Sequence, residues 1–412
     1  MDTFDVANYR PADTLHLWWL GDPARPLPVG ELRLVRGGRG VSLRYGANWL
    51  RAGFALSEDL PLIDNEFLPV EPDTAAGAVD DARPDRWGER VIRFLDHPPR
   101  LSLLEYLFFA GDERFGALGV SLSGERYLPR HLGPLPVLAE VTQIEELAGR
   151  IIDGEPVPPE LRRLIAPGAT MGGARPKALL NMGDQPWVLK FNEPGETLDW
   201  PLIEHAAMTL AATAGIRAAP TRPVPLAKGH AVAVMRFDRA PGRRLHALSA
   251  KVALKAAGES PGYPELAQLL RRRGVAEGAR GRAQMRELFR RMVFNILIDN
   301  TDDHEKNHVL LMNDRAEYEL SPAFDVLPSG QALGMQQMRV GLQMANATVV
   351  NALSEHGQFG LKRQEAEAEV RRVTAAVGGW KTHFAEAGVR SVDIESLAQQ
   401  IDRPFLADQR GE

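Results

Sequence analysis

Residues Arg291–Gly330, RMVFNILIDNTDDHEKNHVLLMNDRAEYELSPAFDVLPSG, carry the most informative pattern in this chain. Apolar residues at and just before the start of this stretch follow the i, i+3, i+4, i+7 spacing of a helix with one buried face. They are Met285, Leu288, Phe289, Met292, Val293, Ile296 and Leu297. The pattern therefore predicts a core helix that delivers Asn300-Thr301-Asp302 to the loop behind it.

Polar groups follow this helix in a fixed order. Two short runs with apolar residues, His308–Met312 and Glu317–Leu320, are joined by Asn-Asp-Arg-Ala, which predicts a β-hairpin. Asp302 and Asn307 precede the hairpin, and Asp325 comes directly after it. This order places three side chains that can bind metals or transfer protons, Asp302, Asn307 and Asp325, around the predicted hairpin.

Phosphoryl transfer by kinases needs such a set: an aspartate that orients the attacking hydroxyl, an asparagine on one magnesium ion and a second aspartate that bridges the metals. Asp302 and Asn307 reproduce the D-x-x-x-x-N interval of a kinase catalytic loop, and Asp325 stands where the metal aspartate would follow a hairpin. The alternative is that Asp302, Asp303 and Asn307 only cap the helix and form turns. Capping does not require a third group beyond a hairpin, which favours the kinase interpretation.

Two other residues of this loop have open roles. His304 could bind zinc, shuttle a proton, or organise the loop and contact nucleotide phosphate. The zinc interpretation is weak, because His304 and His308 are spaced i, i+4 but have no third ligand nearby. We favour the role in organising the loop and contacting the nucleotide. Lys306 could neutralise the phosphoryl group as it moves, or be a solvated surface lysine.

A strand and a helix further upstream carry a candidate ion pair. Lys190 alternates with the apolar residues of WVLKF and so is expected to point away from their face. Asp199-Trp-Pro201 predicts a helix start and Gly215 its end, with Glu204 in the first turn. Lys190 and Glu204 match the strand lysine and helix glutamate of a kinase small lobe. The alternatives are an exposed edge lysine and a glutamate favoured by the helix dipole.

Two segments are candidates for nucleotide contacts. Ala169–Lys177, ATMGGARPK, has backbone N–H groups at Gly172, Gly173 and Ala174 that could cradle phosphates, although it matches neither general phosphate-loop motif and could be an ordinary turn. AVAVMRF, residues 231–237, predicts a strand that enters a linker, which makes Met235 to Phe237 candidates for a hinge against adenine.

Composition limits the remaining possibilities. A chain of 412 residues, 44% hydrophobic and 25% charged, predicts two or three packed subdomains rather than a disordered or fibrous protein. With no apolar run of about 20 residues and an acidic N-terminus, we expect a cytoplasmic protein without a membrane partner. Zero cysteines exclude disulfides and thiolate zinc sites, and a net charge of −5 gives no general attraction to nucleic acid.

The order of patterns predicts three domains. Short alternating runs from Thr14 to Ala55 indicate a β-rich subdomain, and a proline-dense stretch at 128–136 marks a boundary. Beyond residue 238 the patterns are mostly helical. The expected domains are 1–135, an N-terminal subdomain; 136–237, a small lobe with the glycine-rich segment; and 238–412, a helical lobe.

The chain resembles the HipA family of bacterial toxin–antitoxin kinases over nearly its whole length. Six motifs carry the resemblance: PDRWGERVI from Pro84, GDERFGALGVSL from Gly111, GGARPKALL from Gly172, VMRFDR from Val234, NTDDHEKNHVLL from Asn300 and LSPAFDVLPS from Leu320. The resemblance implies an α+β, two-lobed, protein-kinase-like fold with a β-rich N-terminal subdomain and a mostly helical C-terminal lobe.

The same resemblance implies an activity and partners. It implies a serine/threonine kinase that uses ATP and Mg²⁺, arrests growth, promotes persistence and is neutralised by a HipB-like helix-turn-helix antitoxin, through which alone it would meet DNA. Family toxins with assigned targets modify aminoacyl-tRNA synthetases, so a protein of that kind is an expected substrate.

Roles are also implied for individual residues. Asp302 resembles the catalytic base, Asn307 and Asp325 the metal ligands, Lys190 the ATP lysine and His304 a nucleotide contact. Thr170 stands where the family autophosphorylates a serine, and Met235 stands where some members have an acidic hinge residue. Two alternatives remain: a small-molecule kinase with the same phosphotransfer residues, and a non-catalytic subunit that binds an antitoxin as a corepressor.

Overall fold

The computed structural model describes residues 9–168, 173–276 and 278–411. The strands are β1 (Thr14–Trp19), β2 (Leu27–Val35), β3 (Gly40–Tyr45), β4 (Glu66–Phe67), β5 (Thr74–Ala75), β6 (Leu118–Ser121), β7 (Lys177–Met182), β8 (Gln185–Lys190), β9 (Thr221–Pro225), β10 (His230–Met235), β11 (Arg239–Ala240), β12 (Arg243–Arg244), β13 (His246–Ser249), β14 (Val309–Met312) and β15 (Tyr318–Leu320). The helices are α1 (Ala47–Ala52), α2 (Arg86–Val91), α3 (Leu103–Phe109), α4 (Val141–Asp153), α5 (Trp200–Thr213), α6 (Ala250–Ala256), α7 (Tyr263–Arg273), α8 (Arg280–Leu297), α9 (Val349–Ser354), α10 (Arg363–Gly378), α11 (Trp380–Glu386), α12 (Ser391–Ile401) and α13 (Pro404–Arg410).

The chain forms two compact units. The first unit comprises Met1–Pro194 and Arg236–Leu248, and the second comprises Gly195–Met235 and Ser249–Glu412. The three expected domains, 1–135, 136–237 and 238–412, stay a prediction. Among the helices in the described ranges, none is both long enough and apolar enough to cross a bilayer.

The first unit is built on a largely antiparallel sheet. Its strand order is β4-β3-β2-β1-β6, and β5 pairs with β3 in parallel. Leu15 and Leu17 of β1 are fully buried, and the half-buried His16 lies between them, as period-two alternation requires. The predicted β-rich N-terminal region is confirmed.

A buried ion cluster attaches residues 236–248 to the first unit. Asp238 accepts hydrogen bonds from Arg236 (2.7 Å), Arg239 (2.6 Å) and the backbone N–H of Gly116 (2.8 Å). Burial alone would raise the pKa of Asp238, but the two guanidinium charges outweigh it and hold the pKa at about 2. The motifs that begin at Gly111 and Val234 therefore meet in one structural cluster.

The second unit is mostly helical and contains residues 291–330. The predicted core helix is confirmed as α8, and all seven apolar residues expected on its inner face are buried. Its other side is joined to α10, where Arg290 pairs with Glu369 (2.5 Å) and Arg286 pairs with Glu365 (2.8 Å). The predicted hairpin is confirmed as the antiparallel pair β14–β15.

Candidate active site

The end of α8 presents the candidate catalytic loop. After Leu297, Asp299 adopts a left-handed conformation (φ 60°), and the N–H of Asn300 returns to the carbonyl of Asn295 (2.9 Å). Asn300 and Thr301 are buried, whereas Asp302 is exposed. The loop is therefore anchored at its start and exposes the carboxylate that the sequence assigns to the attacking hydroxyl.

A buried polar network holds the middle of this loop. Asp303 accepts hydrogen bonds from Tyr263 of α7 and from Nε2 of His308 (2.8 Å). The hydroxyl of Tyr263 in turn accepts one from Nδ2 of Asn295 (3.2 Å), and Asn300 bonds to Asn295 (3.1 Å). Burial, followed by the charge of Asp303, raises the pKa of Tyr263 well above its usual value, so this hydroxyl remains a donor.

The segment that carries Asp325 is attached to the same loop. Ser329 donates its N–H (2.9 Å) and its hydroxyl (3.0 Å) to the carbonyl of Asp299, and its hydroxyl also bonds to that of Thr301 (2.6 Å). Asp325 itself has φ 57°, a left-handed conformation that is uncommon for residues other than glycine. Such conformations concentrate at functional sites, where the surrounding structure maintains them.

Asn307 lies beside the Asp325 segment. Asn307, Phe324 and Val326 line one small cavity of about 10 Å³. Oδ1 of Asn307 is buried and has no hydrogen-bond partner among the residues that the structure describes. A buried carbonyl oxygen without a partner is costly, and magnesium at phosphoryl-transfer sites uses one or two carboxylates together with substrate phosphates. Asn307 with Asp325 fits that donor set.

The roles of His304 and Lys306 in this loop remain open. His304 is half-buried, its Nδ1 has no partner in the described part of the chain, and its carbonyl accepts the N–H of Asn307 (2.9 Å). Nothing among the described residues supplies a cluster of three histidine, aspartate or glutamate side chains for zinc, and His308 is bonded to Asp303. Lys306 is exposed, so both interpretations of it stay open.

Helix α2 holds both ends of the glycine-rich segment. Pro167, just before this segment, lies against Gly88 of α2. A Cβ at position 88 would stand 2.1 Å from the carbonyl oxygen of Pro167, so only glycine fits at position 88. At the other end of the segment, Lys177 bonds to the carbonyl of Gly173 (3.0 Å) and pairs with Asp85 (2.5 Å), the cap of α2.

Thr170 and Gly172 lie outside the described residues, whereas Gly173 and Ala174 lie inside them. Sequence reasoning assigned no role to Lys177 or Asp85. The charged residue at the start of the apolar run KALL was the available signal for Lys177.

The candidate ion-pair residues are both buried. Lys190 is 5% exposed at the end of β8, so the alternative of an exposed edge lysine is wrong. The predicted start of α5 is confirmed: Asp199 caps it and accepts the N–H of Leu202 (3.4 Å). Glu204 is 3% exposed but is the fifth residue of the helix, so its expected place in the first turn is wrong. The pairing of Lys190 with Glu204 stays a prediction.

The candidate hinge follows β10. The N–H of Met235 bonds to the carbonyl of Pro220 (2.9 Å), and the N–H of Arg236 bonds to that of Pro186 (3.1 Å). The ring of Phe237 meets Phe115 edge-on at 5.8 Å. The backbone donors at 235 and 236 are thus already in use, which a sequence pattern could not indicate.

Comparison with known proteins places this chain in a family. The sequence model of the HipA-like C-terminal domain matches residues 169–380. A relative from Sinorhizobium fredii, named "Putative kinase Y4mE", is 27% identical over 337 residues, which cover 76% of each chain.

The solved structure of another HipA protein supports the expected fold. HipA of Shewanella oneidensis MR-1, solved with HipB and its operator DNA, has a TM-score of 0.65 at 20% identity over 97% of this chain and 99% of its own. The Helicobacter pylori proinflammatory kinase CtkA has a TM-score of 0.44 at 14% identity, over 58% of this chain and 91% of its own. The α+β, kinase-like fold expected from the sequence is confirmed. Because the family model matches more than half of this chain, the chain belongs to the HipA family.

Proposed function

We propose that this protein is a toxin kinase of the HipA type that transfers the γ-phosphate of ATP to a serine or threonine of a protein. One observation supports this most strongly: Oδ1 of Asn307 is buried and has no hydrogen-bond partner among the described residues, and Asn307 lines the same small cavity as Phe324 and Val326, the two neighbours of Asp325 in sequence. A turn or cap would use that oxygen in a hydrogen bond. A metal ligand would leave it for the ion.

Each candidate residue has a distinct role in this proposal. Asp302 orients the acceptor hydroxyl and takes its proton, and Asn307 and Asp325 hold Mg²⁺. When bound, the ion supplies charge that stabilises the phosphoryl group during transfer. Lys306 is proposed as a second positive charge on that group.

Other residues would bind and orient the nucleotide. We assign Lys190, held by Glu204, to the ATP phosphates, and the N–H groups of Gly172, Gly173 and Ala174 to the same phosphates. His304 would contact the nucleotide, with its partnerless Nδ1 as the contacting atom. Since the N–H groups of Met235 and Arg236 are in use, adenine would be held by carbonyls of this segment or by Phe237.

The family membership supports proposals about partners and regulation. The structural relative from Shewanella oneidensis was solved with HipB and operator DNA, so we propose a HipB-like antitoxin for this protein and a DNA contact only through it. An aminoacyl-tRNA synthetase is the proposed type of substrate, the cytoplasm the proposed location, and growth arrest leading to persistence the proposed consequence. Autophosphorylation at Thr170 would shut the enzyme down, because phosphate there would compete with ATP phosphates for Lys190.

The decisive experiment incubates the purified protein with γ-labelled ATP, magnesium and a cell lysate, beside Asp302→Asn. We expect label on a protein with the wild type alone, and mass spectrometry then identifies the modified residue. Label on a metabolite would instead show a small-molecule kinase. Absence of transfer to any acceptor, with growth arrest equal for wild type and Asp302→Asn, would show a non-catalytic protein.

A further inference from the structure

One face of α2 and of the helical turn that follows it carries a row of positive charges. Arg86, Arg90, Arg93 and His97 are spaced i, i+4, i+7, i+11, which places them on a single helix face, and all four are exposed. His97 has a left-handed backbone (φ 43°), an uncommon conformation for histidine, and ends the helical segment.

This row forms one wall of a groove. The groove is open to solvent, has a volume of about 640 Å³ and lies entirely in the first unit. Its opposite wall is the C-terminal end of α4, Ile151 to Gly154, and its apolar surface includes Trp87 and the half-buried ring of Phe94. Pockets that hold drug-sized ligands have volumes of about 300–1,000 Å³ and a mostly apolar lining with a few polar anchors.

The positive charges in the groove are only partly compensated. Arg90 donates to the carbonyl of Ile152 (2.7 Å), and Arg93 donates to the carbonyl of Glu89 (3.3 Å) with the Glu89 carboxylate at 4.0 Å. Arg86 has no hydrogen-bond or ion-pair partner within the described ranges. Asp153 is the acidic residue of the lining, so cations outnumber anions.

We propose that this groove binds a nucleoside polyphosphate at a second site, separate from the candidate active site. Arginine forks bind phosphate oxygens in pairs, and the Phe94 and His97 rings, 6.5 Å apart, offer a flat base a surface for stacking. A small ligand fits better than a nucleic-acid strand, because the row ends at His97 and the chain has a net charge of −5.

The groove is connected to the glycine-rich segment through α2. Trp87, part of the lining, donates from Nε1 to the carbonyl of Lys177 (2.8 Å), and Lys177 holds the carbonyl of Gly173 (3.0 Å). Ala174, the next residue, lies in the lining itself. A ligand that immobilises this face of α2 therefore immobilises the downstream anchor of that segment.

Photolabelling of the full chain with 8-azido-GTP tests the proposal, since it locates the nucleotide without requiring phosphoryl transfer. Labelled peptides are identified by mass spectrometry. We expect label within residues 87–97 or 150–154, displaced by GTP and by inorganic tripolyphosphate. Removing two phosphate anchors with Arg86→Ala and Arg93→Ala together should raise the half-saturating concentration about tenfold or more, equivalent to about 1.4 kcal/mol.

Two control variants of this chain complete the test. Arg86→Lys with Arg93→Lys keeps the charges and should retain most of the labelling, and Arg51→Ala, at an exposed arginine of α1, should match the wild type. Label absent from both segments, or unchanged in the double alanine variant, would overturn the proposal. Displacement by a single-stranded RNA but not by tripolyphosphate would assign the groove to a polymer instead. A chain that fails to phosphorylate anything yet labels as described would refute only the proposed kinase activity.

Discussion

His308 donates a hydrogen bond from Nε2 to Oδ2 of Asp303 across 2.8 Å, and both side chains are 3% exposed. The same carboxylate oxygen accepts the hydroxyl of Tyr263, whose ring lies edge-on to the imidazole at 5.3 Å. Asp303 directly follows Asp302, and His308 directly follows Asn307. The network therefore fixes both candidate catalytic positions through their neighbours in sequence.

Tyr263→Phe should destabilise the protein without unfolding it. The variant removes a hydrogen bond to a charged acceptor, which contributes about 1.5–3 kcal/mol, while His308 still serves Asp303. Urea denaturation measures the free energy of unfolding. Tyr106→Phe is the control, because Tyr106 is half-buried and its hydroxyl has no bond within the described residues; we expect a change within about 0.5 kcal/mol. Equal losses in the two variants would show that the Asp303 network contributes nothing.

Asp325→Ala should remove the magnesium dependence of ATP binding. A methyl group cannot replace a carboxylate that joins the metal to the nucleotide phosphates. Isothermal titration with ATP, with and without Mg²⁺, measures the effect. Asp302→Asn serves as the matched variant: its proposed role is to orient the hydroxyl, so its ATP affinity should equal that of the wild type while transfer is lost. Unchanged Mg²⁺-dependent affinity in Asp325→Ala would contradict the metal assignment.

The sequence predicts the elements of this site better than the contacts between them. Helix α8 and the β14–β15 hairpin were predictable because burial of one face imposes a period that the residues themselves carry. Tyr263 and Asp303 are 40 positions apart, and Asp85 and Lys177 are 92 apart. No local pattern encodes such pairs.

Glu204 illustrates a smaller error. The helix start was predicted at Asp199, which is the cap, but Glu204 then falls one turn later than expected. The error matters physically, because the helix dipole favours acidic residues chiefly in the first turn. At 3% exposure in the second turn, Glu204 needs another reason to be charged. The proposed partner Lys190 would supply it.

Lys177→Met should be strongly destabilising and should weaken ATP binding. The lysine is 1% exposed, and its loss removes the ammonium group that lies 2.5 Å from the Asp85 carboxylate, which is 11% exposed. Breaking a buried pair from one side costs about 3–5 kcal/mol. Adding Asp85→Asn should recover part of that stability, since the charge of the Asp85 carboxylate is then removed as well, but should not restore ATP affinity, because the carbonyl of Gly173 still lacks the Lys177 hydrogen bond. Denaturation measures the free energy of unfolding of both variants, and titration measures their ATP affinity. If the second substitution only adds to the loss of stability, Lys177 and Asp85 are not a coupled pair.

The buried His246 should make the first unit sensitive to acid. His246 is 2% exposed, and its Nε2 donates to the carbonyl of Leu56 (2.8 Å), while its Nδ1 is buried with no partner among the described residues. A second proton would have no acceptor, and burial lowers the pKa of His246 from 6.5 to about 4.

Because the unfolded chain binds this proton at higher pH than the folded one, stability is fully present above about pH 6.5 and falls as the pH drops toward 4. The loss is about 3 kcal/mol over that window. Denaturation followed by tryptophan fluorescence measures it, with Trp19 only 5.6 Å from the imidazole. His246→Gln keeps an N–H donor and should remove that part of the pH dependence, whereas His131→Gln, at an exposed histidine, should leave it unchanged. Identical pH profiles for wild type and His246→Gln would mean that this histidine does not govern acid stability.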